Sequence, residues 1–309
     1  MSGEIAAELR RARVTFGATT ALDDLSLTVR RGEMFGIIGP DGAGKSTAIR
    51  ALLGLVPLDS GTALVLGEDP VAGGRSLRST VGYLSQRFTL YGDLTVQENL
   101  DFFGEIHRVR DLRARRARLL AFTRLEGFRH RRASALSGGM QKKLALACTL
   151  VHTPQVLFLD EPTTGVDPPS RREMWALLAS LLAGGMSILV TTPYLDEAER
   201  CGRVALVRAG RILVVGSPPE LRAWDGTKLL EIVCEPVRDA CRRLAASPRV
   251  LEVQPFGDRL HVVPRSPGDD LADLLARLDG IAIASVRFVD PSLEDVFIWR
   301  VAGHARGPT

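Results

Sequence analysis

The fold of this chain of 309 residues is indicated most clearly by one segment, Met34-Phe-Gly-Ile-Ile-Gly39-Pro-Asp-Gly-Ala-Gly44-Lys45-Ser46-Thr47. Residues 34–39 form a compact apolar run that is typical of a buried strand, and a helix is predicted over Ala48–Leu55. The loop between them matches the pattern Gly-x-x-x-x-Gly-Lys-Ser/Thr, which requires a strand before it and a helix after it. The sequence therefore predicts a site for nucleotide phosphates in an α/β fold.

The phosphate loop, residues 39–47, has the residue types that phosphate binding needs. Glycines allow consecutive backbone N–H groups to curl around phosphate oxygens, and the N-terminus of the next helix adds a partial positive charge. Lys45 is expected to reach the β- and γ-phosphates in catalysis, and the Ser46 hydroxyl to bind Mg²⁺. We expect nucleotide contacts from the whole loop: Gly39, Pro40, Asp41, Gly42, Ala43, Gly44, Lys45, Ser46 and Thr47.

Two acidic residues end a second apolar run, Val156-Leu-Phe-Leu-Asp160-Glu161. Alone, such acids are commonplace and often cap a helix. Together with a phosphate loop, they favour catalysis: Asp160 would hold Mg²⁺ through water, and Glu161 would orient and polarise the attacking water.

A third segment, Leu136-Ser-Gly-Gly-Met-Gln141, lies between the phosphate loop and the carboxylate strand. It resembles the signature of ATP-binding cassette (ABC) ATPases, whose other motifs follow in order over residues 8 to about 222. The resemblance implies a P-loop NTPase cassette, with a mixed, largely parallel sheet and a helical insertion, that takes ATP and Mg²⁺. Further site residues implied by it are Phe16 on adenine, Gln86 near Mg²⁺ and the γ-phosphate, Ser137, Gly138 and Gly139 on the ATP of an opposite subunit, and Asp167 in the D-loop.

The chain has one set of these motifs, so the resemblance implies that it works with a second cassette, in a homodimer or a heterodimer. Physical reasoning agrees, because a helix start with a serine and two glycines is an anion site that needs an anion. The alternative is that Ser137 only caps its helix.

One position departs from the family. Where most members have a histidine after the fourth strand, this chain has Pro193, which can neither donate a hydrogen bond nor shuttle a proton. We therefore predict slow hydrolysis at this chain's own site unless a partner compensates. The alternative is that the proline only ends the strand and solvent fills the gap.

Composition limits the broad class. Forty basic and thirty-six acidic residues give a net charge of +4, too small an excess to predict nucleic-acid binding. The four cysteines lack metal-site spacing, so we expect reduced thiols. The uncharged stretch Trp175–Leu195 is interrupted by Gly184-Gly185, which favours a helix, a turn and a buried strand over a membrane span.

Two unequal domains are expected: a cassette over residues 1–222, with a helical subdomain at about 93–152, and an accessory domain over 223–309. The accessory domain is predicted to have the order βαββαβ, which is the ferredoxin-like α+β order, followed by a helix over Pro291–Arg300. The tail Pro291-Ser-Leu-Glu-Asp-Val-Phe-Ile298 resembles that of ABC-2 type drug exporters. This implies transmembrane permease subunits on separate chains and a place at the cytoplasmic face of the cell membrane.

Two alternative functions fit parts of the sequence. A soluble ABC protein acting on ribosomes would usually carry two cassettes, and one acting on DNA would separate its motifs by long coiled coils. Here Lys45 and Ser137 are only 92 positions apart. A catalytically weak cassette paired with an active partner is the other alternative, favoured by Pro193.

An arginine-rich stretch extends from Arg108 to Arg132 in the predicted helical subdomain. A solvated helix face is the simpler interpretation. Contact with anionic lipid headgroups through Arg113, Arg115 and Arg116 is the alternative.

Overall fold

The computed structural model describes residues 4–87, 90–223, 229–265 and 271–301. The chain divides into two compact units, Met1–Pro218 and Pro219–Thr309. The predicted starts of a strand at Lys228 and of a helix at Asp270 lie outside the described residues.

The first unit is an α/β unit. Its strands are β1 (Ile5–Phe16), β2 (Thr19–Arg30), β3 (Met34–Ile38), β4 (Ser60–Val65), β5 (Val81–Leu84), β6 (Val156–Asp160), β7 (Ser187–Thr192), β8 (Arg203–Arg208) and β9 (Arg211–Gly216). Its helices are α1 (Lys45–Leu52), α2 (Gly74–Thr80), α3 (Val96–Ile106), α4 (Leu112–Thr123), α5 (Gly138–Leu150), α6 (Pro168–Ala183) and α7 (Leu195–Ala198). Helix α8 (Pro218–Arg222) spans the boundary between the units.

The central sheet has the order β5-β6-β7-β3-β8-β9 and is parallel except for β9. Every residue of β3, β6 and β7 is buried, which explains their continuous apolar sequences. The predicted largely parallel sheet is confirmed. Because parallel strands end at the same edge, the segments that follow β3, β6 and β7 meet there.

A second sheet, with the order β2-β1-β4, is antiparallel. The predicted hairpin over 203–216 is confirmed as β8 and β9, and it turns at Ala209 and Gly210, both with positive φ. The uncharged stretch Trp175–Leu195 contains the end of helix α6, a turn at Gly184-Gly185 and strand β7, as predicted. Within the described ranges, no helix is long and apolar enough to span a bilayer.

The segment between β5 and β6 is helical, as predicted, with α3, α4 and α5. Two of its arginines serve the fold. Arg115 donates from its guanidinium to the carbonyl oxygens of Leu150 (2.6 Å) and Val151 (3.2 Å), and Arg116 pairs with Asp101. Both side chains are half-buried against protein groups, which favours a structural role for Arg115 and Arg116, and their contact with lipid headgroups stays an untested alternative.

The second unit has the order β10 (Leu229–Glu235), α9 (Val237–Ala245), β11 (Val250–Phe256), β12 (Arg259–Pro264), α10 (Leu271–Ala276), β13 (Ala282–Val289) and α11 (Leu293–Val301). Its sheet, β11-β12-β10-β13, is antiparallel throughout. This is the predicted βαββαβ pattern in the ferredoxin-like order, and its core includes Ile232, Leu244, Leu260 and Leu274.

A polar cluster connects this sheet with α11. Asp295 completes a capping box with Ser292 at the start of α11 and contacts His261 Nδ1 at 2.8 Å through its Oδ1. The hydrogen bond with Asp295 raises the pKa of His261. Arg287 and Arg259 hydrogen-bond to Glu231, and they lower its pKa to about 2.

Candidate nucleotide site

The phosphate loop leaves the end of β3 and turns into α1, which begins at Lys45 rather than at Ala48 as predicted. Lys45, Ser46 and Thr47 thus form the first helical turn. Gly42 (φ 78°) and Gly44 (φ 102°) occupy left-handed backbone conformations that favour glycine. A Cβ at Gly39 would lie 2.2 Å from the Val207 carbonyl oxygen, so the loop needs glycine there for close packing.

Lys45 is buried in this loop, with only 4% of its side chain exposed. Its Nζ donates to the carbonyl oxygens of Gly39 (2.9 Å) and Pro40 (3.0 Å) and lies 3.2 Å from Glu161 Oε1. The ammonium group therefore lies between the loop carbonyls and a carboxylate.

Asp160, at the end of β6, is fully buried. The hydroxyls of Ser46 (2.9 Å) and Thr191 (2.7 Å) both donate to its Oδ1. Its Oδ2 is buried and has no hydrogen-bond partner among the described residues. A buried, unsatisfied carboxylate oxygen is costly and needs a partner such as a cation.

Glu161 follows directly, with a left-handed φ of 49° that is uncommon outside glycine. Its backbone N–H donates to the carbonyl oxygen and the Oγ1 of Thr191, at 3.1 Å each. Its Oε2 accepts from Gln86 Nε2 (2.8 Å) and Thr164 Oγ1 (3.1 Å). Strained residues of this kind concentrate at functional sites.

Gln86 comes shortly after β5 and reaches Glu161 across the sheet edge. Its backbone carbonyl accepts from Lys142 Nζ of α5 at 3.0 Å. Gln86 and Lys142 both line a cleft of about 460 Å³. Burial lowers the pKa of Lys142. The structure thus joins Gln86 to Glu161, while its expected role as a metal ligand stays a prediction.

The signature residues form a second group with the D-loop. Ser137 caps α5 by accepting from Met140 N (3.4 Å), so the capping alternative is also met, and Asp167 caps α6 by accepting from Ser170 N (2.9 Å). A Cβ at Gly139 would lie 2.2 Å from Ser170 Oγ, whereas Gly138 has open space in that direction. The two helix starts therefore touch through Gly139.

Two further predicted positions lie at strand ends. Phe16 is the last residue of β1 and is 53% exposed, which leaves its ring accessible for stacking. Pro193 is half-buried between β7 and α7.

Sequence reasoning missed three polar side chains that hold the candidate catalytic carboxylates or Gln86: Thr164, Thr191 and Lys142. Thr191 could have been found, because a hydroxyl at the end of a fully buried apolar strand requires a polar partner. The other two contacts depend on tertiary packing alone.

Residues 22–164 match the family model described as ABC transporter, and residues 216–301 match that of the ATP-binding protein DrrA1-3-like, C-terminal domain. The "Nod factor export ATP-binding protein I" of Sinorhizobium fredii is 39% identical over 301 residues, with 96% of this chain and 85% of the relative covered. The chain belongs to the ABC transporter ATP-binding family. Its second unit has the C-terminal domain of the DrrA-like group.

Another relative of this ABC cassette is the "Probable multidrug ABC transporter ATP-binding protein YbhF" of Escherichia coli (strain K12). It is 41% identical over 289 residues, which cover 92% of this chain but only 49% of YbhF, so the chain spans about half the length of that relative. A solved "Structure of ATP binding subunit of ABC transporter" matches with a TM-score of 0.64 and 29% identity, covering 70% of this chain and 92% of that chain. The predicted cassette fold is confirmed.

Proposed function

We propose that this chain binds and hydrolyses MgATP to drive a separate export permease. The observation that carries the proposal is the meeting of Lys45, Ser46, Gln86, Asp160 and Glu161 at one edge of the central sheet. A phosphate-binding loop, an orphaned carboxylate oxygen and a second buried carboxylate are the parts that nucleotide hydrolysis requires.

The residues present fit Mg²⁺. Asp160 Oδ2 is buried and unpartnered, and the Ser46 hydroxyl already bonds to the other oxygen of the same carboxylate. Oxygen donors of this kind suit Mg²⁺, which is held by few protein groups and by phosphates. Bound there, Mg²⁺ would neutralise charge on the phosphates.

The chain's own groups would act as follows. Lys45 leaves the carbonyls of Gly39 and Pro40 for the β- and γ-phosphates, which also frees Glu161 from its ammonium partner. Glu161, held by Gln86 and Thr191, then orients and polarises the attacking water.

A second cassette would complete the site. Ser137 and Gly138 are exposed at the N-terminus of α5, where backbone N–H groups can receive phosphate oxygens from an opposite subunit. Closure of two cassettes around two nucleotides, and reopening after hydrolysis, would move the attached permease.

The permease and the direction of transport are proposed from the relatives. Their names refer to multidrug transport and Nod factor export, and the second unit matches a DrrA-like domain. We infer an ABC-2 type exporter, with this chain bound to permease subunits at the cytoplasmic face of the membrane.

Affinity purification of the full chain from membranes tests the assembly. The expected result is recovery of a membrane-spanning permease, with a second copy of the chain or another cassette. Recovery of ribosomes or DNA without any membrane protein would overturn the transport function.

Pro193 favours a second candidate, a catalytically weak cassette that serves an active partner. The proline offers neither a hydrogen-bond donor nor a proton shuttle at the end of β7. Under this account, Pro193→His raises the hydrolysis rate of the purified chain by about tenfold or more. An unchanged rate would show that this position does not limit turnover.

A further inference from the structure

Glu197 is a buried carboxyl group in the short helix α7, four positions after Pro193, with 1% of its surface exposed. Thr163 Oγ1 donates to its Oε1 and Thr192 Oγ1 donates to its Oε2, both at 2.6 Å. Both threonines are fully buried. Each carboxyl oxygen therefore receives one short hydrogen bond from a different segment of the chain.

The two threonines belong to the segments that surround the candidate catalytic carboxylate. Thr163 lies two positions after Glu161, and Thr192 is the last residue of β7, next to Pro193. Glu161 is itself held by backbone hydrogen bonds to Thr191. Glu197 thus adds a second connection between the same two segments, through Thr163 on one and Thr192 on the other.

Arg171 lies beside this connection. Its Nε is 3.6 Å from Glu197 Oε1 and makes no hydrogen bond within the described part of the chain, and its guanidinium covers the Tyr194 ring at 4.5 Å. The backbone N–H of Tyr194 also donates to Thr192 Oγ1 at 3.0 Å. The residue after Pro193 is therefore fixed through the same cluster.

We propose that Glu197 is a positioning residue for ATP hydrolysis, acting through Thr163 and Thr192 to hold the Glu161 loop against the segment that carries Pro193. The proposal rests on the ATPase function proposed above. Pro193 has no N–H to donate, and the hydrogen bonds at this junction come from its neighbours: the Thr192 hydroxyl to Glu197 and the Tyr194 backbone N–H to Thr192. Misplacement of a catalytic group by about 1 Å lowers the rate by up to about a hundredfold, so contacts that hold the Glu161 loop in place affect turnover.

Glu197→Gln is the informative variant, because it keeps the shape and the volume of the side chain. An amide has one acceptor oxygen and one NH₂ donor, so it can accept from only one of the two threonine hydroxyls, and the other must turn to accept. The matched control is Asp196→Asn on the same helix, whose carboxylate is 73% exposed and lies 3.8 Å from Arg171.

The expected result is a fall of about tenfold in kcat for ATP hydrolysis by the purified chain with Glu197→Gln, with the dissociation constant for MgATP changed by less than about twofold. Asp196→Asn should leave both values unchanged. Hydrogen exchange should rise in residues 160–167 and 191–198 together for Glu197→Gln and in neither for the control.

Thr163 supplies the rescue test. Thr163→Val should lower kcat as Glu197→Gln does, Thr163→Ser should restore it because the hydroxyl remains, and the Thr163→Val, Glu197→Gln double variant should lose no more than Glu197→Gln alone. Additive losses of kcat in the double variant would overturn the inference. It would also be overturned if the variants lowered the melting temperature and left kcat of the folded protein unchanged.

Failure of the inference is distinguishable from failure of the proposed function. If the wild-type chain hydrolyses ATP and Glu197→Gln leaves kcat within twofold, the positioning role is wrong. If the wild-type chain shows no hydrolysis that depends on Glu161, alone or with its permease, the proposed function fails. In that case, unchanged hydrogen exchange of residues 160–167 and 191–198 in Glu197→Gln would also refute the structural connection through Glu197.

Discussion

Arg115 offers a sharp test of how the helical subdomain is joined to strand β6. Its guanidinium caps the carboxyl end of α5, the helix that begins at the signature residues and precedes β6. Arg115→Met keeps much of the apolar stem but removes both hydrogen bonds. The carbonyl groups of Leu150 and Val151 then lose their charged donor in a half-buried place.

The size of the effect follows from these contacts. Hydrogen bonds to a charged group contribute about 1.5–3 kcal/mol each, while burial of the guanidinium, which lowers the pKa of Arg115, offsets part of this. We expect the free energy of unfolding to fall by about 2–3 kcal/mol. For a unit of this size that corresponds to a decrease of about 4–12 °C in melting temperature.

Differential scanning calorimetry of the purified chain measures this change. Arg113→Met is the matched control, since Arg113 lies on the same helix and is exposed. It should change the free energy by less than about 0.5 kcal/mol. Equal melting temperatures for the two variants would refute the capping role, and loss of binding to phosphatidylserine vesicles by Arg115→Met alone would favour the lipid interpretation.

Two further predictions concern the signature helix and the second unit. Gly139→Ala should lower ATP hydrolysis and melting temperature because its Cβ would meet Ser170 Oγ, and adding Ser170→Gly should recover both; no recovery would refute the steric cause. Contact with Asp295 raises the pKa of His261, so its stabilising protonation is complete below about pH 6.5 and is lost as pH rises through the raised pKa. Thermal melts should therefore show a loss of stability in that window that His261→Asn abolishes, whereas an identical pH slope would contradict the linkage.

Motifs carried by local sequence were predictable. The phosphate loop and Asp160-Glu161 each follow an apolar run whose burial and parallel pairing bring their ends to one edge, so adjacency in space followed from strand order. The exact start of α1 did not follow, because the left-handed Gly44 starts the helix earlier than apolar periodicity indicates.

Contacts between distant segments were beyond prediction. Glu197, Thr163 and Lys142 are ordinary polar residues in the sequence, and their roles arise only when helices pack on the sheet edge. The arginine-rich stretch is the opposite case. Its composition suggested a surface, yet Arg115 and Arg116 contact protein groups because tertiary packing places a helix end and Asp101 within their reach.

The rate of MgATP hydrolysis by the Glu161→Gln variant is the decisive measurement for the proposed site. Glutamine retains the size of the side chain and can still contact Gln86 and Thr164, but it loses the carboxylate that polarises water. We predict that kcat falls by at least about a hundredfold while MgATP still binds with nearly wild-type affinity. A rate equal to that of the wild-type chain would contradict the assignment of Glu161 and the site built around it.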